Sequence, residues 1–161
     1  MNMPDDIVAD LGFLALGTRL KRLGEQLQAG VGEALAAEGK DVQPGQLPLL
    51  LAIAEGGGST IVQLVRAIGV SQPAVSRMIA GLQRSGLVTI SNDSEDARVR
   101  RAALTSKSQA LLLELRQSVF TRVAQAAEQL CEGTGLLGAL AIVEERNKDV
   151  PFAERIRRAR P

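Results

Sequence analysis

Ser71-Gln-Pro-Ala-Val-Ser-Arg-Met-Ile-Ala-Gly-Leu-Gln-Arg-Ser-Gly86 holds a helix start, one apolar stripe and a helix stop in a single short run. Ser71 has the hydroxyl of an N-cap, and Pro73 falls in the first turn, where a missing N–H costs little. Val75, Met78, Ile79 and Leu82 recur at helical spacing and are expected to face inward. Gln72, Pro73, Ser76, Arg77, Ala80 and Arg84 share the other side, which is small, polar and basic. Ser85-Gly86 offers a left-handed exit.

Outward from this run, Thr60-Ile-Val-Gln63 has the form of a capping box, in which a hydroxyl and an amide each satisfy the other's orphan backbone donor. Leu64, Val65 and Ile68 continue a helix that Gly69 closes, so the order is helix, glycine-containing turn, helix. On the far side, Leu87-Val-Thr-Ile90 and Val99-Arg-Arg-Ala-Ala-Leu104 flank the polar turn cluster Ser91–Arg98. That pattern predicts a two-stranded hairpin with a long tip.

Taken in order, Thr60–Val65, Val70–Arg77, Gly86–Val88, Asp96–Arg98 and Ala103–Thr105 resemble the winged helix-turn-helix of the MarR family of bacterial transcriptional regulators. Val42-Gln-Pro-Gly-Gln46 resembles the start of that family's second helix, and the flanks resemble its dimerising helices. The chain departs from the family in carrying Asp96-Ala97-Arg98 where Asp-Arg-Arg is frequent, and Ser108 after Lys107 where glycine is frequent. The resemblance implies a homodimer on double-stranded DNA. It also implies a small, often aromatic and anionic, effector between the dimer and DNA lobes.

Composition bounds the alternatives. At 161 residues the chain can bury roughly two thirds of its unfolded surface. Its only aromatic residues are Phe13, Phe120 and Phe152, so the core must be aliphatic and stacking on unpaired bases is not available. Histidine is absent, which removes catalytic triads, imidazole bases and the usual nitrogen-ligand zinc sites. We therefore expect no enzyme, no cofactor and no metal. Asp93, Glu95 and Asp96 read better as a solvated tip than as a cation site, and Cys131 as a buried, inert thiol. No signal peptide or apolar span is recognisable, so the expected location is cytoplasmic.

The net charge of +1 conceals an uneven distribution. Residues 1–56 carry four basic and eight acidic side chains, whereas residues 57–108 carry seven basic and three acidic ones. Positive charge is concentrated where the helix-turn-helix pattern lies.

The flanks read as helices. From Ile7 the apolar positions Ile7, Leu11, Leu14, Leu20, Leu23, Leu27, Val31 and Leu35 predict one long amphipathic helix ending at Gly39. Val42 and Leu47 form a hydrophobic staple around Gln43, Pro44 and Gln46, and Leu47, Leu50, Leu51 and Ala54 predict a short buried helix whose first turn Pro48 distorts. Gly56-Gly-Gly58 reads as a flexible connector. Thr105 caps a second long stripe, Leu111 to Leu130, ending near Gly133. The following helix, about 135–148, is apolar on most of its surface, which calls for a second subunit as cover. Pro151 ends it and leaves a basic, partly ordered tail.

The expectation is a mainly α-helical fold, a winged helix-turn-helix with a small β-hairpin wing and long N- and C-terminal dimerisation helices. Residues 1–38 and 109–161 would make the dimer, and 42–108 the DNA-binding region. Arg77 is the candidate for guanine, Gln72 and Ser76 for base edges or phosphate, and Arg84 for the backbone. Arg98 would enter a minor groove, its direction held by a charge-assisted bond from Asp96. Thr60, Ser71 and Arg100 complete the candidate DNA contacts. On these residues alone an ordinary exposed helix face would be the default reading, and their place between a helix-turn-helix start and a hairpin favours DNA. The competing function is a winged-helix module that binds another protein and no specific DNA.

Overall fold

The computed structural model describes residues 5–93, 96 and 98–160. Most of the expected fraying at residues 1–5, and Ser94, Glu95 and Ala97 of the expected turn cluster, lie outside the described residues. The chain forms two compact units, Met1–Phe120 and Thr121–Pro161.

In the first unit, α1 (Ile7–Asp10) and a 3-10 turn (Gly12–Ala15) precede α2 (Leu16–Ala37). The long N-terminal helix is thus a correction: the apolar period runs on, but Gly12 at φ +53 turns the chain where the pattern suggested continuity. Asp6 anchors the bend. Its Oδ1 accepts the Ala9 N–H at 3.1 Å, and the carboxylate receives both terminal nitrogens of Arg22 at 2.9 and 2.8 Å. The Arg22 hydrogen bond, followed by the Ala9 amide, holds the Asp6 carboxyl at about 2, below its ordinary 3.8. α2 ends at Gly39 as expected: the Lys40 and Gly39 amides return to the carbonyls of Leu35 and Ala36 at 2.9 Å each.

A second 3-10 turn (Pro44–Gln46) opens α3 (Leu47–Glu55). The turn lets Pro48 fall in the first turn of α3, which resolves the expected distortion. Val42 and Leu47 are both buried, in keeping with a staple. The buried face of α3 is Leu47, Leu49, Leu50 and Ile53, whereas Leu51 and Ala54 are half-buried. The glycine connector is a shaped turn, with Gly57 and Gly58 at φ +59 and +117.

β1 (Ser59–Thr60), α4 (Ile61–Ile68), α5 (Gln72–Arg84), β2 (Val88–Asn92) and β3 (Arg100–Leu104) follow. The expected two-stranded hairpin is present as β2 and β3, and β1 adds a third strand that the sequence had not suggested, giving an antiparallel sheet in the order β1-β3-β2 with Thr60 opposite Arg101 and Ile90 opposite Ala102. Behind it the core is aliphatic: Leu35, Leu49, Leu50, Ile53, Leu64, Val75, Leu82, Leu87 and Leu115 are all but fully buried. Truncating Leu82 to alanine should cost about 2 to 5 kcal/mol.

α6 (Ser106–Gln117) and α7 (Val119–Cys131) divide the second long stripe. The break is at Ser118, whose hydroxyl donates back to the Glu114 carbonyl at 3.1 Å. Thr105 caps α6 through the Ser108 amide at 3.2 Å, and the fully buried Ser108 hydroxyl is satisfied by the Thr105 carbonyl at 3.0 Å.

In the second unit α7 leads through Gly133 and Gly135 into α8 (Leu136–Asp149), and α9 (Phe152–Arg158) gives the tail helical order that its sequence had not suggested. Arg155 closes the end of α8, donating to the carbonyls of Arg146 and Val150 at 2.6 and 3.0 Å. Arg157, then Arg158, keeps the Glu154 carboxyl below its ordinary range. Leu137 is 77% exposed on α8, and Ile142 and Val143 are exposed beyond it. Cys131 is half-exposed, contrary to the expected buried thiol, in a groove of about 1030 Å³ shared with Ala124, Glu128, Leu136 and Leu137. Among the described residues, no helix is long and apolar enough to cross a membrane.

Candidate nucleic-acid interface

The local signals that start and stop α4 and α5 set the geometry of the site. The Thr60 hydroxyl accepts the Gln63 N–H at 3.2 Å, and the Gln63 side chain accepts the Thr60 N–H at 2.8 Å. The capping box is therefore complete. Gly69, at φ +73, then turns the chain into α5. Ser71 occupies the N-cap position of α5 with extended backbone, yet its side chain makes no cap bond, contrary to expectation. Pro73 has removed one first-turn donor, and the exposed hydroxyl is left outward. At the other end the Leu87 N–H reaches the Leu82 carbonyl at 2.8 Å and the Gly86 N–H that of Gln83 at 3.0 Å. Leu82 and Leu87 are both buried there, which completes the Schellman exit.

Val75, Ile79 and Leu82 anchor α5 in the core. Met78, expected inside, is half-buried beside a surface groove. Gln72, Pro73, Ser76, Arg77 and Arg84 are exposed, and Ala80 is half-buried between them. Arg77 and Arg84 share the rim of that groove, about 480 Å³ in volume, with Gln43, Gln46 and Gly81. Gly81 makes the close approach possible, since a Cβ there would lie 3.0 Å from Gln46 Nε2 and 3.9 Å from Arg84 Nη2. Gln46 Oε1 accepts the Gln43 N–H at 3.2 Å, which leaves its amide donors toward the groove. Sequence reasoning used Gln43 and Gln46 only as a helix start. Nothing in their spacing to Arg77 reveals that the fold brings them together.

At the wing, Arg98 and Arg100 are exposed. The Asp93 N–H closes the hairpin on the Val99 carbonyl at 2.7 Å. Asp96 does not hold the Arg98 guanidinium as expected. Its Oδ1 accepts the Arg98 backbone N–H at 2.9 Å, so it shapes the turn and leaves the guanidinium free of it. The strong carboxylate–guanidinium pair of the wing is Asp93 with Arg101. Thr60, by contrast, lies at the β1 edge with its hydroxyl engaged in the cap. Arg77, Arg84, Arg98 and Arg100 make no ion pair among the described residues, so their charge is available to a polyanion.

A capped second helix with a polar, basic outer face, preceded by a glycine turn and followed by an antiparallel wing, defines a winged helix-turn-helix protein. Residues 40–99 match the model of the MarR family, so this stretch of the chain is similar to that family. Solved structures agree in fold. A Cys-to-Ser mutant of MarR from E. coli, complexed with operator DNA, superposes with a TM-score of 0.70 at 20% identity, covering 91% of this chain and 100% of that one. BpsR of Bordetella bronchiseptica, described by the regulation of its DNA binding by 6-hydroxynicotinic acid, gives 0.67 at 18% identity over 91% and 96%. The regulator BldR of Sulfolobus solfataricus gives 0.66 at 21% identity over 89% and 99%.

Proposed function

We propose that this protein is a sequence-specific regulator that reads an inverted-repeat operator in double-stranded DNA as a homodimer in the cytoplasm. The observation that carries the reading is the set of exposed arginines without an ion pair among the described residues, Arg77 and Arg84 on α5 and Arg98 and Arg100 on the wing, supported by a single capped and sheet-bound framework. In this reading α5 enters the major groove. Arg77 reads a guanine edge, Gln72 and Ser76 contact base edges or phosphate, Arg84 with Ser71 and Thr60 contacts the backbone, and Arg98 with Arg100 approaches the minor groove.

Residues 42–108 are the DNA-reading region, and 1–38 with 109–161 supply the dimer. Apolar surface supports the second half of that division: Phe13 and Leu14 are 92% and 84% exposed at the N-terminal bend, and Leu137, Ile142 and Phe152 are exposed on the C-terminal helices. A monomer that exposes such side chains on several elements is suited to burial against a copy of itself. Operator DNA on MarR and 6-hydroxynicotinic acid on BpsR support repression relieved by a small aromatic anion.

The test is a titration against duplexes selected by the protein from a random pool, at several salt concentrations. A DNA reader loses affinity steeply as salt rises, through counterion release, and prefers the selected duplex over its scramble. Salt-insensitive binding without preference would transfer the function to protein interaction.

A further inference from the structure

We infer that Asp93 and Arg101 aim the wing, holding Arg98 in the orientation that its DNA contact requires. The inference rests on the DNA-reading function proposed above and assigns positioning roles to two residues outside the candidate contact set. Its starting point is a charge that looks misplaced. Asp93 puts a carboxylate at the base of a basic wing, where it opposes phosphate, and only 9% of its side chain is exposed. Holding a nearly buried carboxylate is costly unless it is paired and hydrogen-bonded. Here it is both: Arg101 Nε meets Oδ2, and the Asp96 N–H donates to Oδ1 at 3.3 Å.

These contacts lie in the middle of a continuous path. On one side Arg101 Nη1 donates to the Gly58 carbonyl at 3.4 Å, in the glycine turn that runs into β1. Arg101 is also opposite Thr60 in the β1–β3 register, and Thr60 caps α4. On the other side the path runs from Asp93 to the Asp96 amide, and from Asp96 Oδ1 to the Arg98 amide at 2.9 Å. The start of the helix-turn-helix is thereby bonded, step by step, to the backbone of Arg98. Severing the Asp93–Arg101 link leaves the strand ladder in place and uncouples the Asp93 carboxylate, with its bond to the Asp96 amide, from β3. A surface that gives up local positive charge to keep this link gains an arginine with fewer orientations to lose on binding.

Bare electrostatics and positioning predict opposite signs for one substitution. Asp93→Asn removes a negative charge, so electrostatics alone tightens every duplex. Positioning predicts instead that Asp93→Asn weakens binding to the selected and scrambled duplexes alike by on the order of tenfold, the size of coupling between contacting residues. Arg101→Gln should do the same. Arg101→Lys, which keeps the charge beside Asp93 but loses the planar fork, should fall between Arg101→Gln and wild type.

The deciding measurement is fluorescence anisotropy of labelled duplexes with the full-length protein, each variant taken alone and combined with Arg98→Ala. The loss caused by Asp93→Asn should vanish when Arg98 is already alanine. Tightening of both duplexes by Asp93→Asn, or a loss that simply adds to that of Arg98→Ala, overturns the positioning role. The second result would mean that Arg101 touches DNA itself or that the wing fails as a whole. A wild-type protein with no preference for any duplex is a different failure, that of the DNA-reading function.

Discussion

The hydroxyl of Thr105 donates to the carbonyl of Gly86 across 2.8 Å while accepting the Ser108 N–H at 3.2 Å. The residue that begins α6 therefore holds the residue that ends α5. The Thr105 N–H adds a bond to the Leu87 carbonyl at 3.3 Å, and Lys107 Nζ one to that of Ser85 at 2.9 Å. Thr105→Val keeps the shape and deletes both hydroxyl roles, so it should lower stability by about 1 to 2 kcal/mol, with Thr105→Ser retaining most of it. Urea unfolding at constant m-value checks this. A valine variant as stable as wild type would show that the cap is dispensable.

Arg77 and Arg98 should fail in different ways. Arg77→Ala is expected to cost about 1 to 3 kcal/mol on the selected duplex and to relax preference at one base pair per half-site. Arg98→Ala should weaken selected and scrambled duplexes alike and reduce the salt slope by roughly one per subunit, leaving all but groove-width preference intact. Because both side chains are exposed, neither melting temperature should move much. Titrations across salt separate the two patterns, and unchanged binding by both variants would remove the assignment.

The exposed apolar side chains of both units predict an obligate dimer. Sedimentation should find no stable monomer at micromolar concentration. Selection should return inverted repeats with half-sites one helical turn apart, about 10 base pairs centre to centre. A soluble monomer, or a single asymmetric half-site, would sink the dimer.

The Asp6–Arg22 pair gives the N-terminal bend an acid limit. A carboxyl held at about 2, against 3.8 when free, favours the folded form in full above 3.8 and loses that contribution as the pH falls through about 2. The Asp6 carboxyl carbon, followed by NMR, should titrate near 2 in the wild type and at a higher pH, toward 3.8, in Arg22→Gln, where the Ala9 amide still lowers it. The melting-temperature difference between wild type and Asp6→Asn should close over the same interval. A wild-type midpoint at 3.8 would mean that the pair does not persist in solution.

What was legible in the sequence was local. The Thr60–Gln63 box, the helix stops at Gly39, Gly69 and Gly86, and the Val75, Ile79, Leu82 stripe each concern residues within a turn of one another, so spacing determines their bonds. β1 escaped notice because two residues show no alternation, and their pairing depends on β3, distant in sequence. The breaks at Gly12 and Ser118 were hidden for the opposite reason. The apolar period continues through both, and Ser118 gives no breaker signal beyond a hydroxyl that folds back on its own helix. In the candidate site the arginines were legible as an exposed face. The role of Asp96 was not, since a spacing of two fits a bond to a guanidinium as well as to an amide. Gln46 and Arg101 were missed because both owe their place to contacts between elements.

The aliphatic core has an optical consequence. With no tryptophan or tyrosine, and with Phe13 and Phe152 on the surface, the protein contributes almost no near-ultraviolet absorbance and no indole emission. Spectral changes in a bound duplex can be followed against a nearly dark protein. A single tryptophan placed at Phe13 would be the only such emitter in the chain, and it would shift to the blue wherever that bend leaves water.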